Sequence, residues 1–263
     1  MERLLVSLSG DAHGAAHSVV LLAACAAVVA VAGAIRGFTG YGFGIAAVPL
    51  LGLILPPDRV VPLVLVLQAV VGLQGVRDCL ADGERALVVP IAVGAALATP
   101  AGLVLGVWLE PCWLRAGIAA CTIGSVLMLL RPPASGCRAM RPPSVLGAGL
   151  VAGMANGLAA MPGPPIVGCC LRAGLSDTAL RASLVLCFAL ISAASLACLP
   201  WCSLHGRTAL CPAVLLSPCV LAGSWAGARL FASRCGRHYR GVSTALLVMM
   251  AATALFRSVA DWI

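Results

Sequence analysis

The sequence predicts an all-α membrane protein of about 8–10 transmembrane segments, arranged as two inverted repeats that each contain a broken or re-entrant Gly/Pro-rich helix. Three observations carry that expectation. Of the 263 residues, 61% are hydrophobic and only 10% are charged, the balance of a polytopic membrane chain. Apolar stretches of helical length follow one another almost without pause from residue 18 to residue 256. The chain also matches itself, weakly but in consistent order, when shifted by 120 positions.

Residues 1–17, MERLLVSLSGDAHGAAH, lack the basic start and contiguous apolar core of a cleaved signal, and read as a short external tail. Apolar stretches then occupy 18–35, 43–55, 60–76, 86–107 and 114–130, which make up a first repeat over 18–130. Residues 131–143, RPPASGCRAMRPP, hold two Pro-Pro pairs; proline removes helix donors, so this stretch is the cytoplasmic linker. The second repeat, 144–263, holds 144–161, 163–171, 178–201, 208–228 and 241–256. A crossing helix needs about 20 residues, so 43–55 and 163–171 are too short to span unaided. No alternation of barrel strands is visible, and helices are the remaining way to satisfy the backbone in lipid.

Five segments per repeat is an odd number, so the second repeat enters from the opposite face, as in transporters built on inverted repeats. The formal net charge of +8 comes from seventeen arginines and no lysine. With the N-terminus outside, twelve of these arginines, among them Arg36, Arg77 and Arg181, fall at cytoplasmic ends, and five, Arg59 among them, fall outside. That is a positive-inside bias, so the charge reports topology and not a nucleic-acid partner.

In the self-match, Gly33 falls on Gly153 and Gly37 on Gly157, which lays RGFTGYGFG (36–44) against the stretch NGLAAMPGPP (156–165). Neither run suits a regular helix, and irregular backbone at membrane depth is tolerated only where protein buries it or it lines a cavity. Broken helices present unpaired N–H groups at a positive dipole end, which favours an anion. The candidate anion site is therefore Arg36, Gly37, Thr39, Gly40 and Gly42 from the first run, with Asn156, Gly157 and Gly163 from the second. Gln68 on the third segment joins them as a hydrogen-bonding group facing either the substrate or a neighbouring helix. Tyr41 and Phe43 either line the path or fill space beside glycine. Arg36 itself has two readings: a buried anion ligand, or a residue near the cytoplasmic interface that reaches to lipid headgroups.

Other polar residues read as structural. Asp58 and Asp177 stand where a helix N-cap is expected, and Ser183, Ser192 and Ser195 read as packing residues. Most of the thirteen cysteines lie in apolar runs without a CxxC pair, where they act as compact hydrophobes. Cys198, Cys202 and His205 lack a fourth metal ligand, so no metal and no cofactor is expected.

The motifs GFTGYGFG (37–44), Val48-Pro49-Leu50, LPPDRVVP (55–62), GMANGLAAMPGPP (153–165) and SWAGARL (224–230) resemble, in order and over nearly the whole chain, the sulfite exporter TauE/SafE family, also called the toluene sulfonate uptake permease family. The resemblance implies secondary transport of small anions, often sulfur-containing such as sulfite or sulfonates, across a bacterial inner membrane. Its partners would be the small anionic substrate and the lipid bilayer; assembly as a homo-oligomer is compatible with the sequence. An intramembrane serine protease is disfavoured, because all four histidines lie in tails or connections and no GxSxG occurs. The alternative is a membrane redox or assembly protein using its cysteine thiols, which would need paired, accessible thiols.

Overall fold

The computed structural model of the chain describes residues 12–110, 113, 142–202 and 209–232, which form helices and turns with no strand among them. The helices are α1 (Ala12–Thr39), α2 (Phe43–Leu51), α3 (Pro57–Gly72), α4 (Val76–Cys79), α5 (Arg85–Trp108), α6 (Pro142–Ala159), α7 (Gly163–Arg172), α8 (Asp177–Cys202) and α9 (Leu210–Ala232). Four stretches are long and apolar enough to cross a membrane: Val19–Thr39, Arg85–Trp108, Asp177–Leu199 and Leu210–Leu230. The chain is thus an all-helical membrane protein. The apolar stretches expected at 114–130 and 241–256, and most of the linker, lie outside the described residues.

Helix packing in lipid has no hydrophobic drive of its own, so close backbone approach through small residues has to supply it. Two helix pairs do this. α1 lies along α9, where a Cβ at Gly33 would come within 2.6 Å of the Val220 carbonyl oxygen, and one at Gly37 would overlap the Ser224 carbonyl. From the other side, Gly223 and Gly227 sit against the carbonyls of Ala30 and Ala34, so a GxxxG face meets a GxxxG face. α5 lies along α6 in the same manner: Gly94 faces Leu146, Gly102 faces Met154, and Gly149, Gly153 and Gly157 face Ile91, Ala95 and Thr99.

α8 runs through the middle of the assembly and touches α3, α4, α5 and α7. Its start is capped by Ser176, whose Oγ accepts from the Ala179 N–H at 3.3 Å. Asp177 is therefore the first helical residue and not the cap, and Asp58 lies in the first turn of α3 behind Pro56. The sequence expectation of two aspartate caps is corrected accordingly: each carboxylate stabilises its helix through the positive end of the dipole, while the cap positions go to Pro56 and Ser176.

Two boundaries also differ. α1 begins at Ala12, inside the expected tail, because the alanine-rich AHGAAH carries the helix on. The irregular stretches are much shorter than 36–44 and 156–165: helix persists to Thr39 and to Ala159 and resumes at Phe43 and at Gly163. Prolines at the start of α7 are compatible with this, since the first turn of a helix has no use for their missing N–H.

Candidate functional site

Each break is three residues long. Gly40 and Gly42 take φ of 83° and 89°, and in the other break Ala160 takes φ 53°, alone among the described non-glycine residues. Left-handed backbone costs glycine nothing but costs alanine through its Cβ. The last helical bond before each turn is the same: Gly40 N–H donates to the Arg36 carbonyl at 2.7 Å, and Ala160 N–H to the Asn156 carbonyl at 2.8 Å. Arg36 and Asn156 thus stand one turn behind their breaks, 120 positions apart.

The breaks touch. Gly44 packs on the Ala160 carbonyl so closely that no side chain fits there, and Gln68 from α3 donates its Nε2 to the same carbonyl at 3.2 Å. A Cβ at Gly163 would lie 3.1 Å from Ile45 Cδ1 and 3.7 Å from the Phe188 ring. Phe188 is the middle residue of the candidate span Asp177–Leu199, so this junction sits at mid-depth along α8. The short helices α2 and α7 both begin here, behind Gly42 and Pro162, and neither has a side-chain cap. Buried helix starts of this kind are anion-favouring.

On one side of the junction is Arg36, 4% exposed. Its guanidinium is enclosed by protein, and Nη2 is buried without a hydrogen-bond partner among the described residues. Arg181 of α8 grips the same turn, donating from Nη2 to the Gly37 carbonyl at 2.7 Å and from Nε to the Phe38 carbonyl at 3.4 Å. Its stem packs on Gly40. These bonds satisfy carbonyls that the broken helix leaves open. Arg36, Arg181 and Cys79 interact electrostatically, and Asp78 and Asp82 stand exposed beside Cys79. Burial pushes the Cys79 thiol above its ordinary range, the opposite of what a reactive thiolate needs. Sequence reading counted Arg181 only as an orientation charge; its position one turn into a long helix, opposite a predicted break, was the available signal.

On the other side is Asn156, fully buried, with Nδ2 donating to Ser195 Oγ at 2.6 Å. Ser195 spends its own proton on the Ile191 carbonyl at 2.8 Å, so its oxygen must accept. In this orientation Asn156 Oδ1 is buried with no partner among the described residues. Arg181 is seven residues before Phe188 and Ser195 seven after it, about 10 Å either way at the helical rise. Arg36 and Asn156 therefore flank the junction instead of sharing one pocket, as the sequence had suggested.

The remaining expected ligands fall into groups. Gly37 and Gly157 serve helix contact, against Ser224 and Thr99. Thr39 Oγ1 lies 2.8 Å from the Ile35 carbonyl and 2.5 Å from that of Tyr41, and accepts the Tyr41 N–H at 3.2 Å; it ties off the turn. The N–H of Gly40 is taken by Arg36. Gly42 and Gly163 open the short helices, and Gln68 pins one break to α3. Tyr41 and Phe43 are buried. Among the described residues no group of three potential metal ligands occurs; His205 lies outside them.

A protein-family model described as Sulfite exporter TauE/SafE matches residues 25–255. No curated protein and no solved structure matches the chain.

Proposed function

The chain belongs to the TauE/SafE sulfite exporter family, and from that premise we propose that it is a secondary transporter that carries small sulfur-containing oxyanions out of the cell across the bacterial inner membrane, with its N-terminus outside. The observation that carries the reading is Arg36: a guanidinium enclosed at a helix break, with one N–H face unpartnered. A buried cation is expensive to insert and an unsatisfied donor costs more, so the arrangement fits a group that an anion completes.

Support for an inverted repeat comes from the packing. Exchanging α1–α3 with α6–α8, and α5 with α9, turns the α1–α9 contact into α6–α5, α1–α2 into α6–α7, α2–α3 into α7–α8, and α3–α9 into α8–α5, all of which occur. The last described helix of each half thus lies on the first described helix of the other. On this reading the halves, 18–130 and 144–263, rock about the junction of their breaks and expose it to each face in turn.

Export is the favoured direction. A monoanion leaving a cell held 100 mV negative inside gains about 2.3 kcal/mol and needs no second ion. The test is efflux of labelled sulfite from proteoliposomes made with the parent and with Arg36→Gln. Loss of a charge-assisted contact predicts a fall of roughly ten- to a hundredfold in apparent affinity; unchanged efflux by a folded variant overturns the role of Arg36.

A further inference from the structure

Among the described residues the flank occupied by Asn156 has no counterpart of the Arg36 charge, and its chemistry is different. We infer that Asn156 Oδ1 is a second station on the path, and that it accepts a hydrogen bond from an O–H carried by the anion, so that the species moved is a singly protonated oxyanion such as hydrogen sulfite.

The inference rests on the transport reading above and deepens it. Asn156 is fully buried, yet its Oδ1 has no partner, and orphan buried acceptors are rare enough to need an explanation. With Nδ2 on Ser195 Oγ, whose proton goes to the Ile191 carbonyl, Oδ1 is the amide atom left open. An amide oxygen carries partial negative charge. It repels a bare oxyanion and favours one that presents a proton. Arg36 and Asn156 hold equivalent places behind the two breaks, one with a spare donor and the other with a spare acceptor. A monoanion bearing one O–H matches both in turn: its charged oxygens suit Arg36, and its O–H suits Asn156. A monoanion without an O–H, such as methanesulfonate, matches only the first. No proton is exchanged with the protein in this scheme; it travels on the anion.

The experiment compares sulfite with methanesulfonate in proteoliposomes at mildly acidic pH, where sulfite is present as hydrogen sulfite. The expected result is that methanesulfonate competes with sulfite but is itself carried at least tenfold more slowly, and that Asn156→Leu slows sulfite by ten- to a hundredfold, the range of a lost hydrogen bond to a charged species. The parent comparison alone decides the matter if the variant does not fold. Equal transport of the two anions by the parent overturns the inference and leaves the transport reading standing, provided Arg36→Gln impairs both. If Arg36→Gln affects neither, the role of Arg36 falls and with it the pairing of Arg36 with Asn156; if the parent carries neither anion, the transport reading falls and the inference with it.

Discussion

Ala160 is the residue at which backbone conformation and side chain disagree. Its φ of 53° is one that its repeat-mate Gly40 adopts freely, and for an L-residue it costs about 1–2 kcal/mol. What holds it there is the Gln68 bond to its carbonyl and the contact with Gly44 on that same carbonyl. Replacing Ala160 by glycine relieves that strain but loses a buried methyl, worth about 0.8 kcal/mol, and adds unfolded-chain entropy of about 0.5–1 kcal/mol. The terms nearly cancel. Ala160→Gly is thus expected to unfold within about 1 kcal/mol of the parent in detergent. Ala160→Val, β-branched and enclosed, is expected to lose at least about 2 kcal/mol. Equal stability of the two variants in thermal or chemical unfolding would show that the turn at 160 is not the strained conformation described.

At the scale of elements, the paired GxxxG faces make a symmetrical demand. Gly37 on α1 and Gly227 on α9 each lie against a carbonyl of the opposite helix, so a leucine at either position must push the same two helices apart. Overpacking typically costs about 1–3 kcal/mol, more where backbone is the obstacle. Gly37→Leu and Gly227→Leu should therefore lower the unfolding temperature to a similar degree, with the double variant less than additive because one displacement accommodates both; full additivity would argue that the two glycines do not share an interface. These faces also show where sequence reading succeeded and where it stopped. The two breaks and their offset of 120 were legible, because glycine and proline mark backbone that cannot stay helical. The use made of each glycine was not, since Gly37 and Gly40 look alike in sequence while one meets Ser224 on α9 and the other turns the chain against Arg181 on α8. Nor was the separation of Arg36 from Asn156 legible: it depends on how far along α8 each break docks, which is tertiary information.

For the whole molecule, the arrangement of halves ties topology to mechanism. α3 has 16 residues, about 24 Å at the helical rise, slightly less than the hydrocarbon core of about 30 Å. Its two flanking connections, around Leu53 and around Arg77, are exposed and on the proposed topology lie on opposite faces. On that topology the positive-inside rule puts the second connection, flanked by Arg77 and Arg85, inside and the connection before α3 outside. In a background with the native cysteines replaced, Leu53→Cys is expected to react with an impermeant maleimide on intact cells, and Arg77→Cys only after the membrane is opened. Labelling of both from one side would remove the crossing of α3. Labelling in the reverse order would keep the crossing but invert the protein, placing the Arg36 flank of the junction toward the outside. An exported anion would then meet Arg36 after the junction instead of before it, while the case for export, which rests on the membrane potential, would be unchanged.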